Sequence, residues 1–199
     1  TTLSFPRRKT IPWHVGSAFR NHGQVMLEQE LARYPAVIIS PDLAFHPMAT
    51  HPKVFYAQPP IDIDRWYAHD MNGEQDGSIH ILHTPSDRAV KGTESVEREM
   101  NSLGGKIMPH IITGEEHRRV MGHLAACDLH IGSIFQIPSP KFPHGWHMWG
   151  VNTLEAMSMG KLAVNSYDPQ PLELLGIDPK DCPVIEARPV NLKDRLRRQ

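Results

Sequence analysis

From Ser78 onward the apolar residues switch repeatedly between strand and helix spacing, and the switching predicts a regular order of elements. Ser78-Ile79-His80-Ile81-Leu82-His83 reads as a strand, which Thr84-Pro85-Ser86-Asp87 breaks. A helix is predicted from Thr93 to about Leu103, with Thr93 as its N-cap and Gly104-Gly105 as its end. Lys106 to Ile112 is a second strand, made imperfect by Pro109. Glu115 to Cys127 carries Val120, Met121, Leu124 and Ala125 at helical spacing. Leu129 to Phe135 is a third strand. A proline-rich loop then leads to a helix from about Val151 to Met159, ended by Gly160. Leu162 to Asn165 is a fourth strand, Pro183 to Glu186 a fifth, and Leu192 to Arg198 a last short helix.

Strands alternating with helices of this length pair in parallel, so the predicted class is α/β, with a Rossmann-like doubly wound parallel sheet. Ligands on such sheets bind beyond the carboxyl ends of the strands, where strand order reverses. A site is therefore sought in the loops after His83, Ile112, Phe135 and Asn165. The first 60 residues read differently. Ala36 to Ser40 and Val54 to Ala57 are short apolar strands, Pro59 to Asp64 has a linker's composition, and Met71 to Gly77 is polar. A boundary is expected between about residues 58 and 77. The resulting division is 1–60, holding the first part and linker, and 61–199, holding the alternating elements.

Composition narrows the class. The 199 residues suffice for one domain, or one with part of another. With 40% apolar and 22% charged residues the chain is globular in character. A formal net charge of -1 offers no basic field, so no nucleic-acid partner is expected. Cys127 and Cys182 lack metal-type pairing and cannot form a disulfide framework, which points to a reducing, cytoplasmic setting. Thr1 to Thr10 carries no apolar leader, and no run approaches the roughly 20 apolar residues that span a bilayer. Peripheral membrane contact stays open.

Two constellations carry candidate chemistry. His83-Thr84-Pro85-Ser86-Asp87-Arg88-Ala89-Val90-Lys91-Gly92-Thr93 lies between a strand end and a helix start. Arg88 brings a forked donor and Lys91 a point charge beside helix N–H groups, a combination suited to a diphosphate. The plain alternative is a solvated basic turn. Gly150-Val151-Asn152-Thr153-Leu154-Glu155-Ala156-Met157 sets one acid in an otherwise apolar helix stripe. A carboxylate near a helix start can accept two hydrogen bonds from vicinal hydroxyls, or simply favour the helix dipole.

In this order the segments resemble the nucleotide-sugar domain of the family 4 (group 1) glycosyltransferases. His83-Thr84-Pro85-Ser86 with Lys91-Gly92-Thr93 looks like that family's strand and phosphate loop. Gly114-Glu115-Glu116-His117 through Ala125-Ala126-Cys127-Asp128 is similar to its next helix and the acid after it. Leu154-Glu155-Ala156-Met157 with Gly160-Lys161 is similar to its signature helix and turn, Pro60-Ile61-Asp62 to its interdomain linker, and Gly16-Ser17 with Arg20 to the end of its amino-terminal domain. The resemblance implies the GT-B fold, two Rossmann-like domains with the active site in the cleft between them. It implies transfer of a sugar from a nucleotide donor with retention, and no metal or other cofactor. Arg88, Lys91 and Gly92 would meet the donor diphosphate, main-chain groups of Gly150, Val151 and Asn152 would approach the phosphates, and Glu155 would hold the ribose.

The chain departs from the family pattern in places. The first of the family's two glutamates falls at His147. Arg88 stands closer to Lys91 than in many members, with Ser86 at the usual place. The amino-terminal histidine near the acceptor maps to His14, or to Val15 and so is lost. The catalytic residue thus stays unassigned, with His14 and His147 as candidates. About half of the first domain is expected to be missing before Thr1, and the end at Gln199 is early, so the chain reads as truncated. The partners implied are a nucleotide-sugar donor and an acceptor that is a sugar, a lipid or a protein, with a homo-oligomer open. The alternatives are a non-catalytic nucleotide-sugar-binding protein of the same fold and a nucleotide-sugar epimerase. His117, His123, His130, His144 and His147 show no metal-site spacing, so no metal is expected. Trp146 and Trp149 either stack on a base or sugar or pack their loop onto the domain.

Overall fold

The computed structural model describes residues 13–14, 28–40, 50–64, 77–135 and 149–198. In chain order its elements begin with β1 (Trp13–His14), helical backbone at 28–33 (α1), β2 (Val37–Ile39) and β3 (Val54–Tyr56). They continue with β4 (Ile79–His83), α2 (Thr93–Asn101), β5 (Ile107–Ile111), α3 (His117–Ala126), β6 (Leu129–Ile131) and α4 (Val151–Ser158). The last are β7 (Leu162–Asn165), α5 (Pro169–Leu174), a 3-10 turn at Pro179–Asp181, β8 (Ile185–Glu186) and α6 (Leu192–Arg197).

The chain separates into two compact units. The first holds β1, β2 and β3 as a parallel sheet in that order, together with α5. Residues two apart share a face of a strand, and accordingly Val37 and Ile39 are both fully buried. Val54 pairs with Val37 and is buried with it. The pattern of prolines hides α5 from a sequence reading. Pro169 stands in the first turn, where a missing N–H breaks no helical bond, so it starts the helix instead of stopping it.

The second unit holds β4 to β8, in the spatial order β5-β4-β6-β7-β8, with every pair parallel. Neighbouring side chains on β4 point to opposite faces. Ile81 joins Val96 and Met100 of α2 and Leu192 of α6 on one side. Leu82 joins Met121 and Leu124 of α3 and Ala156 of α4 on the other. The sheet is thus flanked by helices on both faces, an α/β arrangement compatible with a Rossmann-like fold.

Three local readings change. Thr93 is the first residue of α2 and not its N-cap; Gly92 takes that place. The third strand stops at Ile131, four residues before Phe135, because beyond it the Ser133 N–H donates to the Asn165 side chain and not to a backbone carbonyl of the neighbouring strand. Pro109 does not damage β5. Ile79 N–H donates to Lys106 O, and Ile112 N–H donates to His83 O, so the even-numbered residues of this strand bond to β4. The nitrogen of Pro109 therefore faces outward on an edge strand, where no ladder bond is lost.

Candidate functional site

Strands β4 and β6 are neighbours, yet the chain leaves them for opposite faces: α2 follows β4 on one side and α4 follows β6 on the other. This is the reversal point at which open parallel sheets bind ligands. The loops meeting there are pinned from below. His83 is 1% exposed, and burial, opposed by its bond to the Ile131 carbonyl and aided by Lys91 and Arg88, pushes its pKa down to about 4. The imidazole is therefore neutral. Its Nδ1 donates to Ile131 O at 2.8 Å, since a carbonyl only accepts, which leaves Nε2 to accept from the Thr93 hydroxyl at 3.0 Å. His83 thus ties β6 to the first residue of α2.

Above it the loop from Thr84 to Gly92 is held against the chain beyond β6. Val90 N–H donates to Asp87 Oδ1, and Ile134 N–H donates to Lys91 O at 3.0 Å. Gly92 has φ +69°, and a Cβ there would lie 1.6 Å from Ile134 O, so only glycine fits. On the other side Asn152 Nδ2 donates to Thr84 Oγ1 at 2.8 Å, and that hydroxyl also bonds His130 Nε2 at 3.2 Å. Burial holds the His130 pKa down at about 3, so it too is neutral.

Charge is arranged around this frame. The Nζ of Lys91 lies 3.4 Å from where a Cβ on Gly150 would stand. Gly150 is the N-cap of α4, and being glycine it brings no side chain to the open N–H groups; no acid occupies the first turn. The N-cap of α2, Gly92, is likewise bare. A helix start carries about half a positive charge. An ammonium and a helix start set side by side carry charge of the same sign, and an anion near them is favoured by both. Arg88 is turned elsewhere: its Nη2 pairs with Glu97 Oε1 of α2 at 2.5 Å, with both side chains more than a third exposed. An exposed pair of this kind is worth about 0–1 kcal/mol, so Arg88 is easily recruited.

Glu155 lies one turn into α4 and is only 4% exposed. His117 Nε2, at the start of α3, donates to its Oε1 at 2.7 Å. Its Oε2 is buried with no hydrogen-bond partner among the described residues, as are His130 Nδ1, Ser133 Oγ and Asn165 Nδ2. Each such orphan costs about 1–3 kcal/mol, and the last three sit at or just beyond the carboxyl ends of β6 and β7. Buried polar groups of this kind are met by a polar ligand or by ordered water.

Of the residues singled out in the sequence, Lys91, Gly92, Gly150 and Asn152 come together, Val151 opens α4, and Glu155 follows one turn on. Arg88 lies on the same loop but bonds α2. His14 belongs to β1 of the other unit, where its backbone pairs with Ile39. His147, with Trp146 and His144, lies outside the described residues. Trp149 packs edge-on against Tyr167 with centroids 5.4 Å apart and is buried, which favours the packing role for this indole. His123 pairs with Glu115. Among the described residues no group of three or more His, Cys, Asp or Glu side chains could hold a metal ion. Nor is any helix among them long and apolar enough to cross a membrane. The roles of His117, His83, Thr84 and His130 do not show in the sequence, because their partners lie 10 to 68 residues away and no spacing links them. No protein-family model matches the chain, and no curated protein matches it.

Proposed function

We propose that the second unit binds a nucleotide-sugar and that the chain is a retaining glycosyltransferase of the family 4, GT-B type. The observation that carries this reading is the Lys91 ammonium set beside the N-terminus of α4, which has no side-chain cap, with a Glu155 oxygen that has no partner among the described residues one turn further along. An anion fits the first and hydroxyl donors fit the second. The four residues from Val151 to Glu155 rise about 6 Å, and side chains lean toward the helix start, so one nucleotide can engage both. In the transfer step the bond from the anomeric carbon to the diphosphate oxygen breaks with its electron pair leaving on the diphosphate, an acceptor hydroxyl oxygen bonds the anomeric carbon on the same face, and the hydroxyl proton passes to the departing diphosphate oxygen. Lys91 and the N–H groups from Gly150 to Asn152 stabilise the charge that develops there, and Arg88 adds to them once released from Glu97. This chemistry needs no metal ion, because fixed cations and dipoles do the neutralising.

The test is thermal unfolding of the whole chain with uridine, guanosine and adenosine diphosphates and their sugars. A rise in melting temperature that Lys91→Ala abolishes is expected, and no rise with any of them overturns the reading. NMR analysis of the products then separates transfer to an acceptor from epimerisation and from binding alone.

A further inference from the structure

We propose that His117 is a positioning residue for Glu155, fixing the carboxylate so that it recognises the vicinal hydroxyls of a ribose; this rests on the nucleotide-binding reading above. Three observations meet at this pair. Glu155 is 4% exposed, so its carboxylate lies where hydrogen bonds are strong and unmade ones costly. One oxygen is already engaged, accepting from His117 Nε2 at 2.7 Å, and the other has no partner among the described residues. His117 belongs to a different helix from Glu155 and is 59% exposed, whereas its partner is covered.

A carboxylate offers about four acceptor sites on two oxygens. Without an anchor it turns about its last torsion and presents them in any direction. The bond to His117 spends one site on Oε1 and fixes the plane, which leaves the second site of Oε1 and both of Oε2 at set positions. Two adjacent hydroxyls match that remainder, each donating to one oxygen. A phosphate does not, since it brings acceptors and negative charge to a group that can only accept. The split of labour follows: Lys91 and α4 take the anion, and the His117–Glu155 pair takes the sugar hydroxyls.

The experiment is calorimetric titration of the full chain with a nucleoside diphosphate and its 2′-deoxy counterpart, for wild type, His117→Ala and His117→Gln. Wild type should prefer the ribose form by at least about tenfold, because a buried acceptor left unpaired penalises the analogue that lacks its donor. His117→Ala should collapse that preference toward one while the 2′-deoxy form binds as in wild type. His117→Gln, which keeps an N–H donor, should restore part of it. Equal weakening of both forms in His117→Ala would make the residue merely structural and overturn the proposal. So would a preference that survives the change. Wild type that binds diphosphates without any ribose preference overturns this proposal and spares the anion site; wild type that binds none removes both.

Discussion

Lys91 and Gly150 oppose each other so closely that the ammonium of one stands 3.4 Å from the point where a side chain on the other would begin. The lysine tip is flexible and the backbone at Gly150 is extended, so alanine there is sterically tolerable. Gly150→Ala should therefore change stability by no more than about 0.5 kcal/mol. The added methyl would nevertheless occupy the space between cation and helix start. Affinity for a nucleoside diphosphate should fall several-fold, read by calorimetry beside urea unfolding. Unchanged affinity would mean that the anion does not sit between the two.

Gly92 behaves in the opposite way. Its φ of +69° and its contact with Ile134 O leave no room for a methyl group. Gly92→Ala should cost more than about 2 kcal/mol, from the left-handed backbone and the displaced carbonyl together. Urea unfolding would show it as a lower midpoint with an unchanged slope. A midpoint within error of wild type would contradict the packing described here.

Arg88 and Glu97 make a testable competition. Their exposed pair contributes little to folding, so Glu97→Gln should leave stability nearly unaltered, within about 1 kcal/mol. It also frees the guanidinium for the ligand. Diphosphate binding should then tighten, and adding Arg88→Ala should cancel the gain. A gain that persists without Arg88 would assign it to the lost negative charge alone.

Burial of His83 and His130 makes stability depend on pH. Both are neutral when folded, with pKa values pushed to about 4 and about 3, against 6.5 for the unfolded side chain. Between pH 6.5 and about 4 the unfolded chain therefore binds more protons than the native one. Stability is full above that interval and falls as pH drops through it, by up to about 1.4 kcal/mol per pH unit for each histidine. In urea unfolding at pH 7.5 and pH 5, His130→Asn should lose less than wild type between the two conditions. Equal losses would show that His130 is not held neutral.

The sheet and its helices were legible in the sequence because each is a local pattern. Ile81 and Leu82 announce a strand buried on both faces, and Met121 with Leu124 a helix seated on one of them. The loop that carries Lys91 and Gly92 was legible for a similar reason, since it stands between a strand and a helix. What escaped was everything decided across the fold. Nothing near Thr93 says that its hydroxyl is claimed by His83, and nothing near Glu155 says that a histidine 38 residues earlier will bond it. Strand ends escaped too: beyond β6 the Ser133 N–H donates to the side-chain Oδ1 of Asn165, a neighbour supplied by another strand.

The outward nitrogen of Pro109 has a bearing on how these molecules share a solution. An edge strand with an unbroken row of donors invites a second chain to extend the sheet. On β5 the residues whose backbone groups face outward are 107, 109 and 111, and the middle one has no hydrogen to give. A newcomer aligned along this edge would find a gap at the centre of its ladder. A residue that looks like a flaw in the strand thus guards against sheet-to-sheet polymerisation, and Pro109→Val would be expected to fold normally while aggregating faster at high protein concentration.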